Sequence, residues 1–223
     1  MKYSPDQTIF LDWGWGQINA TLLFTWIIIF CMAGGSWCIT RRLTSSTQIS
    51  FWQNMLEVLV QGMAEHIEEI THRPALHFLP TVGTLFLFIL VSNILGLVPF
   101  FQPPTGSLST TSAFALLVFI AVPAYGLSTR SLGSYLGQYI KPTVLMLPFN
   151  ILGEISRTFA LAVRLYGNIM SGTVIGIVLL LITPLFVPVI MQALGLLTGV
   201  IQAYIFALLA LVYIASAMED KAT

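Results

Sequence analysis

Residues 142–181 read PTVLMLPFNILGEISRTFALAVRLYGNIMSGTVIGIVLLL. As one helix they would be roughly 60 Å long at 1.5 Å per residue, about twice the hydrocarbon thickness of a bilayer. The segment must therefore tilt steeply, bend or break, and Pro148, Gly153, Gly167, Gly172 and Gly176 are permitted break points. Its charges are Glu154, Arg157 and Arg164, and no further acid occurs until Glu219. A guanidinium stays ionised at any accessible pH and costs about 3 kcal/mol at membrane depth on insertion scales. With no acid nearby in its own chain, Arg164 points to an ion path or to a carboxylate brought by another chain.

The surrounding composition supports a bilayer setting. Of 223 residues, 57% are hydrophobic and 8% charged, against about a quarter charged in soluble domains. Nine basic and nine acidic residues balance, so no electrostatic footprint for nucleic acid exists. Residues 18–39 form an apolar run of spanning length, closed by Arg41 and Arg42. It follows Asp6 and Asp12 without a basic start and lacks a small-residue cleavage site, so it reads as a retained anchor. Cys31 and Cys38, two helical turns apart in this run, are too distant for a disulfide.

Residues 51–71 differ. Trp52, Met55, Leu56, Leu59, Val60, Met63 and Ile67 recur at helical spacing, with Glu57, Glu65, Glu68 and Glu69 between them, which predicts an amphipathic helix at the membrane surface. Further apolar runs cover 78–101 and 113–129, separated by the Gln102-Pro103-Pro104-Thr105-Gly106 loop, and a last one covers 189–218. The loops alternate between basic and non-basic, placing Arg41, Arg42, Arg130 and Lys141 inside, the N-terminus outside and the C-terminus inside. The expected fold is one all-α integral membrane domain. It has about five transmembrane or steeply tilted helices, 18–39, 78–101, 113–129, 142–181 and 189–218, plus one interfacial helix at 51–71. The last two should form a tilted hairpin, drawn together by Gly172/Gly176 and Gly195/Gly199.

On a helix Arg157, Arg164, Asn168 and Ser171 share one stripe, and a polar stripe in an apolar helix faces protein or water. Glu154 is spaced to pair with Arg157, leaving Arg164 as the uncompensated charge. The plainer alternative is that Arg164 snorkels to an interface; its position between long apolar flanks and its polar neighbours argue against that. Thr198 and Gln202, one turn apart on the last helix, are polar candidates to converge on the same crevice, and Gln202 could equally be an interhelical hydrogen-bonding residue. His66, Glu69 and His72 lack the order of a zinc motif, so no metal site and no cofactor is expected.

Ser92-Asn93-Ile94-Leu95-Gly96-Leu97-Val98-Pro99, Leu161-Ala162-Val163-Arg164-Leu165-Tyr166-Gly167-Asn168 and Ile201-Gln202-Ala203-Tyr204-Ile205-Phe206 together resemble subunit a of the F-type ATP synthase membrane sector. The similarity runs from about Phe51 to Ala217, and the last segment looks most like the cyanobacterial and chloroplast versions. The resemblance implies a bacterial inner or thylakoid-type membrane and a non-catalytic, ion-translocating subunit with no nucleotide site. Its implied partners are a c-subunit ring, b-type peripheral stalk subunits and the remainder of the ATP synthase. It also implies that Arg164 faces the ring's carboxylates between two half-channels, with Asn168 and Gln202 as half-channel or arginine-neighbour positions.

Two positions depart from the family. Many relatives carry an acid where this chain has Thr173, and some carry His or Glu where it has Gly195. Either protons cross on water held by Thr173, Asn168, Ser171 and Gln202, with Glu154 helping at another depth, or the coupling ion is Na⁺, which needs oxygen ligands and no relay acid. A stand-alone ion or anion transporter would need an inverted repeat, and no matching broken segment occurs in the first half. An intramembrane hydrolase would need catalytic groups at membrane depth, and the histidines fall outside the apolar runs.

Overall fold

The computed structural model describes residues 9–12, 17–41, 51–98, 101–129, 132–133, 137, 145–182 and 187–218. Arg42, Arg130, Lys141 and the 219–223 tail, which entered the expected topology, lie outside the described residues. A short antiparallel hairpin, β1 (Ile9–Asp12) with β2 (Gln17–Asn19), precedes the helices and pairs Ile9 with Asn19 and Asp12 with Gln17. Apart from this hairpin, which the apolar periodicity did not signal, the architecture is helical.

Helix α1 (Ala20–Thr40) has 21 residues, enough to cross a bilayer at 1.5 Å per residue. Its start lines a cleft with Ser109, Thr110 and Phe88, so its far end, where the Arg41 guanidinium sits 4.9 Å over the Trp37 ring, lies at the opposite end of the bundle. Cys31 and Cys38 are free and exposed.

Helix α2 (Phe51–Thr71) buries Ile67 and leaves its glutamates outward. It ends because Pro74 disfavours helical backbone at Arg73, and His72 takes a positive φ of 52° while its N–H still bonds the Glu68 carbonyl at 2.8 Å. Two charges then secure the turn. Glu68 accepts the Ala75 N–H at 3.1 Å, and the Arg73 guanidinium donates to the Met218 carbonyl at 3.2 Å, a cation at a helix C-terminus.

The apolar run expected at 78–101 supplies a shorter helix, α3 (Leu79–Leu95), because the chain leaves the helix at Gly96 and turns back through a 3₁₀ turn, Pro104–Gly106. Helix α4 (Leu108–Thr129) begins five residues before the expected position. Its polar first turn stays helical because hydroxyls bond locally: Ser107 and Ser109 to each other at 2.6 Å, and Thr111 to the Leu108 carbonyl at 3.1 Å. Tyr125 near its end donates to the His77 carbonyl and accepts from Thr81.

Helix α5 (Met146–Ile182) is 37 residues without interruption, about 55 Å at helical rise, so no break occurs at its glycines. Pro148 falls in the first turn, where a missing N–H is harmless. Helix α6 (Val187–Met218) follows. With α1, α4, α5 and α6 each long and apolar enough to cross a membrane and α3 a shorter apolar helix, the chain is an integral membrane protein.

Two apolar clusters hold the bundle. One joins Leu85 and Ile89 of α3, Ala115 and Val118 of α4, Leu161, Ala162 and Leu165 of α5, and Ala203, Phe206 and Ala210 of α6. The other, at the Arg73 end, joins Ile67, Phe78, Val82 and Ala121 to Ala207, Leu211, Ile214 and Met218. Helix α6 contributes to both and is the central element.

The hairpin of α5 and α6 is present, but the glycine pairs do not make it. Gly172, Gly176 and Gly195 have open space where a side chain would project, and the close neighbour of Gly199 is Asn93 of α3. Leucine and phenylalanine side chains meeting alanines supply the contact instead.

Ile89 is fully buried at the centre of the first cluster. Ile89→Ala is expected to destabilise the domain by about 2 kcal/mol or more through the cavity it leaves, read as a lower thermal midpoint of the purified protein; an unchanged midpoint would mean that the cluster is not the core.

Candidate functional site: an unpaired guanidinium on helix α5

Leu161 and Leu165 bracket Arg164 and turn inward, whereas Phe159, Ala160, Val163 and Arg164 are exposed. Helical geometry requires this split: residues three or four apart share a face, so Leu161, Ala162 and Leu165 pack on the bundle and Arg164 falls on the rim of the free face. Arg164 makes no hydrogen bond or ion pair with any described residue. In water this would be an ordinary surface arginine. Among Ile155, Phe159, Val163, Val174 and Ile175, all exposed and apolar, it is a cation in a surface built for hydrocarbon.

The other predicted residues divide into three groups. Asn168, half-buried, and Ser171, exposed, lie one and two turns beyond Arg164 on its stripe; the Ser171 hydroxyl donates to the Asn168 carbonyl at 3.1 Å. Thr173 and Thr198 are exposed, and each spends its hydroxyl on its own helix, at 2.9 Å to Ile169 and 3.0 Å to Leu194. Thr198 lies one turn before Gln202, which is only 7% exposed. At the other end, Arg157 has its guanidinium carbon 5.6 Å from the centroid of the Tyr213 ring, a cation–π contact across the α5–α6 seam. Glu154 is half-buried, and its carbonyl accepts the Thr158 hydroxyl at 3.0 Å.

Gln202 lies in the same layer of the bundle as Arg164, since its neighbours Ala203 and Phe206 share a cluster with Leu161 and Leu165. Its Nε2 is buried without a hydrogen-bond partner among the described residues. A buried donor left unpaired costs about 1–3 kcal/mol, so native folds keep one only for a reason. Among the described residues, the layer that holds the unpartnered cation also holds an unpartnered amide donor.

Residues 79–129 and 155–218 contain no Asp, Glu or His, so α3, α4, α6 and all of α5 beyond Glu154 lack a carboxyl or imidazole. No group of three His, Cys, Asp or Glu able to hold a metal occurs among the described residues. Around the turn between α3 and α4 the described polar side chains that bond are hydroxyls and amides. Ser92, Asn93 and Thr105 form a buried chain that composition alone does not single out, because Thr105 reads as part of a Pro/Gly loop. Asn93, inside an apolar run, donates from Nδ2 to the Gly199 carbonyl at 2.8 Å.

A family model described as ATP synthase A chain matches residues 22–215. The chain belongs to the ATP synthase subunit a family. Among curated relatives, ATP synthase subunit a 2 of Acaryochloris marina is 58% identical over 98% of this chain and 94% of its own length. ATP synthase subunit a of Albidiferax ferrireducens is 52% identical over 99% and 96%. ATP synthase subunit a 2 of Picosynechococcus is 54% identical over 97% and 93%. The relatives thus include cyanobacterial ones, and the likeness covers nearly the whole chain. Membership places this protein in the membrane sector of an F-type ATP synthase, in association with the rest of that complex.

Gln202→Leu removes the unpaired donor at similar shape, so the assembled complex should be as stable as the parent or more so. Ion transport coupled to ATP should nonetheless fall by about tenfold, the scale of one lost polar contact. Transport at the parental rate would show that the amide is only tolerated.

Proposed function

We propose that this chain is the stator of a rotary ion motor, with Arg164 facing the carboxylates of a c-subunit ring so that transmembrane proton flow drives rotation and ATP synthesis. The single observation that carries the reading is the guanidinium exposed on an apolar face with no partner among the described residues. Such a charge requires an anion from elsewhere, and a ring whose helices each carry one carboxylate presents anions in succession. At about 4 Å and an effective dielectric near 20, the attraction is about 4 kcal/mol. That is enough to favour the ionised carboxylate, and hence release of its ion, when it arrives opposite Arg164. The same fixed charge repels a cation attempting the direct route, so ions leave and join the ring on either side of Arg164 and travel round it.

Asn168, Ser171 and Thr173 lie beyond Arg164 toward one end of α5, Glu154 and Arg157 toward the other, which supports two separate aqueous half-channels offset along the helix. Gln202 supports the central layer, and Thr198 borders the first half-channel from α6. The basic side chains Arg41 and Arg73 lie at the end where α6 terminates, which supports an inside C-terminus and an outside N-terminus. The glutamates along α2 suit contact with b-type stalk subunits.

Sodium as the coupling ion is a second reading, favoured by the absence of any carboxyl or imidazole in residues 79–129 and 155–218. A proton crossing there must ride on water held by hydroxyls and amides, whereas Na⁺ is served by those oxygens directly.

Arg164→Ala is expected to abolish coupled transport, a loss of about 100-fold or more, while ATP hydrolysis by the catalytic head persists. Retained coupled transport would refute the stator assignment. For the ion, ATP-driven uptake into sealed vesicles should collapse with a protonophore and ignore Na⁺ if protons are carried. Protonophore-resistant uptake that requires Na⁺ would establish the sodium reading instead.

A further inference from the structure

Where the chain turns back between α3 and α4, the 3₁₀ turn Pro104–Gly106 is buried, with Thr105 fully enclosed. Thr105 Oγ1 donates to Asn93 Oδ1 at 3.1 Å, and Ser92 Oγ, 3.2 Å away, supplies a proton to the Thr105 oxygen, since Thr105 has already given its own. Asn93 passes the connection on, donating from Nδ2 to the Gly199 carbonyl of α6. The donors and acceptors run in one consistent direction, which fixes the orientation of the Asn93 amide. Gly199 is the residue that permits it: a Cβ there would stand 3.1 Å from Asn93 Cβ and 3.2 Å from its Cγ and Nδ2. On its other side the same turn bears on α5, where a Cβ at Gly106 would stand 3.2 Å from Ile169 Cγ2.

From this geometry we infer that Thr105, Asn93 and the glycine pair Gly106 and Gly199 form a positioning clamp that holds α5 and α6 in register, so that Arg164 and Gln202 keep their depth and roll against a moving partner. The inference rests on the stator reading above. Ile169 lies five residues beyond Arg164, or about 140° around the helix, so the turn bears on the back of the helix whose front carries the cation. Gly199 lies three residues before Gln202, or about 60° around α6, so the bond that pins Gly199 also sets the direction of the unpaired amide. The buried bonds give this clamp definite geometry, because slippage leaves a carbonyl, an amide and two hydroxyls unpaired in a dry interior. Leucine packing elsewhere in the bundle tolerates small rotations far better.

The test uses the assembled complex in membrane vesicles, with coupled ion transport expressed per copy of this subunit retained. Asn93→Leu and Thr105→Val, which preserve shape and delete the bonds, should each lower that quantity about tenfold, the scale of a buried polar group left unpaired. Thr105→Ser, which keeps the hydroxyl, should stay within about twofold of the parent. In a background with Cys31 and Cys38 replaced by Ser, a Gln202→Cys probe should resist a small aqueous thiol reagent with the clamp intact and react about tenfold faster with Asn93→Leu. The clamp is overturned if Asn93→Leu and Thr105→Val transport at the parental rate per retained subunit. It is equally overturned if transport falls only in proportion to lost subunit while the probe's reactivity stays constant, which is the mark of a folding defect alone. Loss of transport with Arg164→Ala alongside parental behaviour of the clamp variants rejects the clamp and leaves the stator reading intact; normal transport with Arg164→Ala rejects the stator reading itself.

Discussion

A guanidinium without a counter-charge among the described residues, on a surface otherwise fit for hydrocarbon, is the constraint around which this chain is organised. Removing its charge by deprotonation is closed to arginine, and snorkelling is opposed by apolar side chains extending both ways along α5. On the stator reading, the remaining solution is a partner that brings the anion. Among the described residues nothing covers one flank of α5, while its other flank packs through Leu161, Ala162 and Leu165. A stator for a rotor must keep such a bare flank. It must also hold that flank rigidly, which is the task of the bundle behind it.

The bundle does so by making α6 the central element. Phe206, Leu211 and Ile214 face two clusters at once, the amphipathic α2 closes one end, and the buried turn at Thr105 closes the other. The ends differ in chemistry. Near Arg73 and Met218, charges stabilise helix termini; near Thr105, hydroxyls and amides do.

Much of this was legible in the sequence for identifiable reasons. Each apolar run of spanning length is a helix because a bilayer permits little else, and the amphipathic repeat of α2 is a direct consequence of helical spacing around Ile67. The prominence of Arg164 follows from counting charges, and its place on a polar stripe from its spacing to Arg157, Asn168 and Ser171. What stayed hidden depends on contacts between distant segments. The early end of α3 depends on the turn at Gly96, and the early start of α4 on hydroxyls that bond locally, which composition reads as loop. The glycine spacing of α5 and α6 suggested a close helix pair, yet Gly199 serves Asn93 on a third helix, a pairing 106 residues apart that no local pattern encodes. Arg157 finds Tyr213 for the same reason.

Where one side chain points in the assembled machine decides the rotary reading. A high-resolution structure of the complete membrane sector, resolved in successive rotational states, would show it. The expected result is the Arg164 guanidinium midway through the bilayer, directed at a neighbouring ring with a carboxylate brought opposite it in turn. An Arg164 side chain directed into lipid headgroups, or a ring whose carboxylates never come opposite it, would overturn the rotary reading.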